Sequence, residues 1–326
     1  MTTIAGLVRL LALVLTTTFA FTGTGASALD YPNRPIKFIV CFAAGGPNDI
    51  VGRLFGQYLS EKLGQQIIVE NRVGAGGNIG MGAALASPPD GYTIVFVGPN
   101  NFINATMYAN MPFDFLRDSV PIGGTMKLTN VLEVNNAVPI RTIAEYITYA
   151  KANPGKMNFG HGGVGTSPHM SGELLKSLTG INIVHVPYRG TAPALTDMLG
   201  GQLQSMFDNL PGSIGHIKSG KVRALGVTAP RRIAALPDVP AIAETVPGYE
   251  ADVYYGIAAP RGTPAEIVTK LNGTLNAVLQ DPKLLARIKE LGAEPMPMTP
   301  AEFGKLEQSE TAKWAKVIKS AGIKVQ

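Results

Sequence analysis

Apolar and polar residues follow two different periods along this chain. Short apolar runs rich in β-branched residues alternate with longer segments in which apolar residues recur every three or four positions. The first elements predicted in this way are strands at 36–42, 66–70 and 92–97, separated by helices at 49–63 and 79–86. This βαβαβ order favours a mainly parallel sheet with helices on both faces.

A second α/β unit follows the first. A long strand at 125–134 is predicted to lead into it. Its other elements are predicted as helices at 142–152, 168–179, 192–199 and 214–219 and strands at 183–186, 204–207 and 224–227. The helix at 168–179 is expected to turn four apolar residues inward, namely Met170, Leu174, Leu175 and Leu178.

The chain is expected to return to the first unit through a strand at 253–258. Three helices then close the sequence, and each has a polar residue before a proline at its predicted start. Thr263, Asp281 and Thr299 are the predicted N-caps.

The N-terminus has the features of a secretory signal peptide, 1–28. Arg9 supplies its only charge, 10–21 is almost entirely apolar, and 26–28 is a small-x-small cleavage site. We expect cleavage after Ala28 and a periplasmic protein, since this apolar stretch is too short to span a membrane.

Composition disfavours nucleic-acid binding and excludes an internal disulfide. The net charge is +5 without a cluster of basic and aromatic residues, so nucleic-acid binding is disfavoured. Cys41 is the only cysteine and cannot form an internal disulfide, so we read it as a small buried hydrophobic residue.

Two glycine-rich turns are the strongest candidates for chemistry. The segment 42–49 joins a predicted strand to a helix, and 160–167 does the same about 120 residues later. Backbone N–H groups and the positive end of a helix dipole meet at such turns, and this arrangement suits an anion. Two of them predict a ligand held between two domains.

Motifs of enzymes are incomplete. The dinucleotide-like spacing of Gly160, Gly162 and Gly165 lacks the acid expected about 20 residues later. Ser167 lacks the closing glycine of a nucleophile elbow and is instead expected to cap a helix. The four histidines show no metal-binding spacing, so we expect no metal and no cofactor, whereas His169 is a candidate donor to an anion.

The sequence leaves two possible roles open for each of two acidic residues. Asp49 either caps the first helix and orders its loop or contacts water and polar ligand atoms. Asp208, at the end of a predicted strand, either contacts the ligand or orders a loop.

Many short motifs occur in order along the chain. They include YPNRPI at 31–36, AGG at 44–46 followed by Asp49 and Arg53, VENRVGAGG at 69–77, PDGYT at 89–93, AKANPGK at 150–156, HVPYRG at 185–190 and APRGTP at 259–264. With these motifs the chain resembles the Bug (TctC-like) extracytoplasmic solute receptors of tripartite tricarboxylate transporters.

The resemblance implies a fold, a function and partners. The fold is a two-domain periplasmic-binding-protein architecture (type II, Venus-flytrap) with two mainly parallel sheets. Domain 1 comprises 29–130 and 250–326, domain 2 comprises 131–249, and a double hinge beside the cleft lies near Val131 and Tyr249. Such a receptor is not an enzyme. It captures a small organic carboxylate and delivers it, as a monomer, to the large and small membrane subunits of a carrier.

The resemblance also implies a set of ligand-binding residues. In the first domain they are Phe42, Ala44, Gly45, Gly46, Asp49, Gly98 and Asn100. In the second domain they are Gly162, Gly165, Thr166, His169, Tyr188, Thr191 and Asp208.

This chain departs from the family pattern at three places. Cys41 replaces a common proline, Tyr255 replaces a common tryptophan, and His161-Gly162-Gly163 replaces a serine-containing stretch, so the identity of the ligand stays open. Two other functions remain as alternatives: presentation of a ligand to a membrane sensor, and a secreted hydrolase that uses Ser167.

Overall fold

The computed structural model of the protein describes residues 30–108, 110–320 and 322–323. The predicted signal peptide at 1–28 and its cleavage site lie outside the described residues. No helix in the described part of the chain is long and apolar enough to cross a membrane.

Strands and helices alternate through most of the chain. Within the described residues the strands are β1 (Ile36–Val40), β2 (Ile67–Asn71), β3 (Thr93–Val97), β4 (Ser119–Asn135), β5 (Asn158–His161), β6 (Val184–Pro187), β7 (Ser205–Asn209), β8 (Val222–Val227), β9 (Asp252–Pro260) and β10 (Glu294–Pro295). The α-helices are α1 (Pro47–Leu63), α2 (Asn78–Leu85), α3 (Pro99–Met107), α4 (Phe115–Asp118), α5 (Ile143–Ala152), α6 (Ser167–Thr179), α7 (Thr191–Leu199), α8 (Leu210–Lys218), α9 (Ala265–Val278), α10 (Pro282–Glu290) and α11 (Pro300–Ser320).

The long strand β4 joins two sheets. In the first sheet β1 pairs in parallel with β2 and β3, whereas β9 runs antiparallel between β3 and β4. In the second sheet β5 pairs in parallel with β6 and β7, whereas β7 and β8 run antiparallel to β4. The predicted α/β class is confirmed, and each sheet is mixed because β4 and β9 oppose the parallel strands.

Each sheet has its own apolar core. Phe102, Phe303 and Trp314 are buried in the core on the first sheet. Tyr146 and Phe207 are buried in the core on the second sheet. From Pro32 onward the chain packs as one compact unit. The division into domains at 131 and 249 stays a prediction.

Local sequence signals explain the errors in the predicted elements. Helix α3 was missed because its three asparagines favour turns, and β5 was missed because a glycine interrupts its short run. Strand β4 begins at Ser119, earlier than predicted. Its first part was missed because Pro121 and two glycines are unusual within a strand, and the register with β9 shifts at these residues. Leu178, predicted to face inward, is 44% exposed.

Two of the three predicted caps on the C-terminal helices are confirmed. Asp281 accepts a hydrogen bond from Lys283 N–H at 2.7 Å, and Thr299 Oγ1 accepts one from Glu302 N–H at 3.2 Å. The cap predicted at Thr263 is wrong, because its hydroxyl donates to Pro260 O at 2.8 Å and α9 begins after Pro264.

Candidate ligand-binding site

A cavity lies where the carboxyl ends of the parallel strands meet the starts of the helices that follow them. It encloses about 400 Å³ including its open mouth. Its lining comprises Phe42, Ala43, Gly46, Pro47, Asn48, Pro99, Asn100, Gly162, Thr166, Ser167, Pro168, Gly190, Thr191, Asn209 and Tyr255. Both glycine-rich turns identified in the sequence therefore border one cavity.

Five helices begin at this cavity. The residues that precede α1, α3, α6, α7 and α8 are Gly46, Gly98, Thr166, Gly190 and Asn209. The first N–H groups of a helix lack intrahelical partners, and its N-terminus carries about half a positive charge. None of the described lining residues has a charged side chain, so the main chain supplies the attraction for an anion.

The first wall is the β1–α1 turn, which Asp49 holds in place. The Asp49 carboxylate accepts hydrogen bonds from Gly45 N–H at 2.9 Å, Arg53 Nε at 3.0 Å and Asn71 Nδ2 at 2.9 Å. Burial alone would raise the pKa of Asp49, but these hydrogen bonds and the Arg53 charge lower it overall. The carboxylate orders the loop and is absent from the cavity lining, as are the exposed Ala44 and Gly45.

The second wall is the turn between β5 and α6. Thr166 Oγ1 donates to Gly163 O at 2.7 Å and accepts from His169 N–H at 3.4 Å, so Thr166 is the N-cap of α6. The cap predicted at Ser167 is therefore one residue too late. Gly165 has a φ of +80°, and a Cβ there would overlap Asn104 Oδ1. Only glycine fits this position without strain.

A buried polar network crosses the base of the cavity. The Tyr255 hydroxyl lies 2.6 Å from Asn48 Oδ1 and 2.9 Å from Asn209 Oδ1. Asn209 Nδ2 in turn donates to Ser167 Oγ at 3.0 Å and to Asn130 Oδ1. The hydroxyl of Ser167 is therefore engaged by amides, and these contacts show no base that would activate it as a nucleophile.

One side-chain donor of the lining is buried without a partner. Asn100 Nδ2 has no hydrogen-bond partner among the described residues. Leaving a buried donor unpaired costs about 1–3 kcal/mol. An acceptor in the cavity would offset that cost.

A pair of buried acids, Asp208 and Glu133, lies on neighbouring strands. Burial raises the pKa of Asp208 to about 7, although Thr191, the Asn209 N–H and Ser213 lower it in part. Burial, and next the Asp208 charge, raises the pKa of Glu133 well above its usual value. Both raised pKa values favour the neutral, protonated carboxyl group, and this limits the repulsion that the pair would exert on an anion.

The predicted ligand-binding residues fall into two groups. Those that line the cavity are Phe42, Gly46, Asn100, Gly162, Thr166 and Thr191. Those that lie outside the lining are Ala44, Gly45, Asp49, Gly98, Gly165, His169, Tyr188 and Asp208. Several of the latter hold the walls: Gly98 N–H donates to Asn101 Oδ1 at 3.0 Å, and Tyr188 OH donates to Asp197 at 2.7 Å.

The structure adds nine lining residues that the sequence analysis did not name individually as ligand-binding, although four of them lie in the predicted turns 42–49 and 160–167. They are Ala43, Pro47, Asn48, Pro99, Ser167, Pro168, Gly190, Asn209 and Tyr255. Pro47, Pro99 and Pro168 carry a local signal, since proline favours the first turn of a helix. Tyr255 has none, because its partner Asn48 is 207 residues away.

The fold and the cavity define a solute-binding receptor of the periplasmic-binding-protein class. A sequence profile described as "Tripartite tricarboxylate transporter family receptor" (TctC) matches residues 51–323. The chain belongs to this family, which is one of receptors rather than enzymes.

Solved structures agree with this assignment. The periplasmic binding protein BugD superposes with a TM-score of 0.88 at 35% identity, over 91% of this chain and 100% of that one. Rpa4515 of R. palustris, solved with adipate, gives 0.87 at 37% identity, over 90% and 99%. MatC of Rhodopseudomonas palustris, solved with malate, gives 0.84 at 30% identity, over 88% and 100%.

Proposed function

We propose that this protein is a periplasmic receptor that binds a small organic carboxylate in the cavity and delivers it to the membrane subunits of a tripartite carrier. The observation that carries this proposal is the convergence of five helix N-termini on a cavity lined without charged side chains. Adipate and malate in the two related structures support the ligand class.

The free energy that one helix N-terminus supplies is too small for micromolar binding of an anion. One helix N-terminus stabilises an anion by about 0.3–2 kcal/mol, whereas micromolar binding requires about 8 kcal/mol. Several N-termini together, with the unpaired donor of Asn100, approach that figure. The aromatic rings of Phe42 and Tyr255 offer apolar surface for the carbon skeleton of the acid.

The proposal includes a two-lobed motion. The lobes are 29–130 with 250–326 and 131–249, and they close over the ligand about hinges near Val131 and Tyr249. Close approaches between the walls support this: a Cβ on Gly190 would lie 3.3 Å from Ala43 Cβ, and Tyr108 OH donates to Val164 O at 3.4 Å. Cleavage after Ala28 and export as a monomer complete the proposal.

Calorimetry tests the ligand class. Purified protein, unfolded and refolded to remove any bound ligand, is titrated with adipate, malate, citrate and benzoate, and with adipamide as the neutral counterpart of adipate. We expect at least one acid to bind and adipamide not to bind. Failure of every acid, or equal affinity for adipate and adipamide, would refute the proposal.

Delivery to a carrier needs a separate test. In a strain that lacks the gene, uptake of the radiolabelled acid that binds most tightly should be lost and should return on complementation. If uptake persists while the acid no longer induces gene expression, the receptor serves a membrane sensor instead.

A further inference from the structure

Three histidines come together beside the second wall. Strands β5 and β6 pair in parallel with Phe159 opposite His185, so His161, two residues further on, shares a face with both. The first turn of α6 places His169 over the same face. One nitrogen from each of His161, His169 and His185 lies within 4.8 Å of the other two.

The ring geometry resembles that of a metal site. His161 Nε2 lies 3.1 Å from His185 Nδ1, and His161 Nδ1 lies 3.0 Å from Gly163 O and 3.2 Å from Gly163 N. Two nitrogens bound to one tetrahedral Zn²⁺ are roughly 3.4 Å apart, given Zn–N bonds of about 2.0–2.1 Å. In the tautomer that carries its proton on Nδ1, His161 donates to Gly163 O, the usual support of a metal-binding histidine, and Nε2 is free to bind a metal.

Access and charge also suit a cation. His161 and His169 are buried, whereas His185 is exposed and opens the cluster to solvent. The nearby Lys176 Nζ is paired with Glu173 at 2.8 Å, which offsets its charge.

Packing alone does not require this arrangement. The rings of His161 and His185 stack at 5.3 Å between centroids, and Phe159 packs against both. Apolar side chains would fill the same space without the cost of burying imidazole nitrogens. A weak 3.5 Å hydrogen bond from Gly165 N–H to His169 Nδ1 leaves that ring free to change tautomer.

We propose that His161, His169 and His185 bind one divalent transition-metal ion, with Zn²⁺ as the best match to three imidazoles and a water in a tetrahedral site. This site is distinct from the carboxylate cavity, although His161 directly precedes the lining residue Gly162. Metal binding by His161 and His169 would therefore stabilise the conformation of the turn at 162–166, which lies between them.

The test uses untagged mature protein stripped with a chelator. Zn²⁺ is titrated in competition with a chromophoric chelator, and Co²⁺ is added to record the visible d–d bands of a tetrahedral site. The variants are His185→Ala, His169→Gln and, as the matched control, His216→Ala, which removes the histidine outside the cluster. Circular dichroism checks that each variant is folded.

We expect one Zn²⁺ per chain, tetrahedral Co²⁺ bands, and affinity lowered at least about tenfold by His185→Ala and by His169→Gln. His216→Ala should bind as the wild type does. The proposal is overturned if wild-type protein binds Zn²⁺ no more tightly than His185→Ala, or if His216→Ala loses as much affinity as the cluster variants.

Discussion

Asn100→Asp tests the main-chain mechanism of anion binding. Asn100 is 4% exposed, lines the cavity, and carries a buried amide nitrogen without a partner. The substitution keeps the shape of the side chain, removes this donor and adds a negative charge beside the ligand. Two like charges about 4–5 Å apart repel by about 3–4 kcal/mol at an effective dielectric constant of about 20. Affinity for the acid should therefore fall about 150- to 900-fold.

The fold should survive this change. Asn100 is the second residue of α3, and a negative charge in the first turn of a helix is stabilised by about 0.3–1 kcal/mol. Burial and a bound anion both raise the pKa of the introduced carboxyl group, so the loss of affinity should shrink as pH is lowered towards about 4. Calorimetry over a pH series, with salt held constant, measures both effects.

Asn101→Asp is the matched control. Asn101 is equally buried but outside the lining, and its Oδ1 accepts from Gly98 N–H at 3.0 Å, a role that a carboxylate keeps. Because its charge lies further from the ligand, its loss of affinity should be at least about tenfold smaller. If folded Asn100→Asp binds the acid within about threefold of wild type, the reasoning about this cavity is wrong.

Three further predictions follow from single contacts. Gly165→Ala should lower both ligand affinity and thermal stability, because it adds a clash with Asn104 to the roughly 1–2 kcal/mol cost of a left-handed alanine. The control Gly180→Ala, at a φ of +69° in open space, should lower thermal stability alone. Equal ligand binding by the two variants would contradict this prediction. Burial raises the pKa of Glu307 to about 8. The folded state therefore holds a proton that the unfolded state releases above about pH 4.5, so the free energy of unfolding should fall as pH rises from about 4.5 to 8. Glu307→Gln should flatten that slope in urea titrations, and an unchanged slope would show the assignment to be wrong. Thr299→Ala should lower the free energy of unfolding by about 0.5–2 kcal/mol in the same assay through loss of the α11 cap, and an unchanged value would contradict this.

Features with a local cause could be predicted from the sequence. The two glycine-rich turns, the cap at Asp281 and the buried Cys41 each follow from neighbouring residues, and all three agree with the structure. The role of Asp49 in ordering its loop depends in part on its contact with Asn71, which is 22 residues away.

Features with a long-range cause could not be predicted. Missing α3 hid one of the five helix starts, although Asn100 itself was selected. The network around Tyr255 depends on a strand that enters the sheet late in the chain. The histidine cluster depends on the register of β5 with β6, and no spacing along the sequence encodes it.

The helix starts around the cavity have a consequence for ligand specificity. Under the proposed function, most of the attraction for the anion comes from peptide dipoles, which stay in place when a lining side chain is exchanged for another neutral one. Neutral substitutions at Phe42 or Thr191 would then alter the length or polarity of the acid that fits, while binding of its carboxylate group is kept.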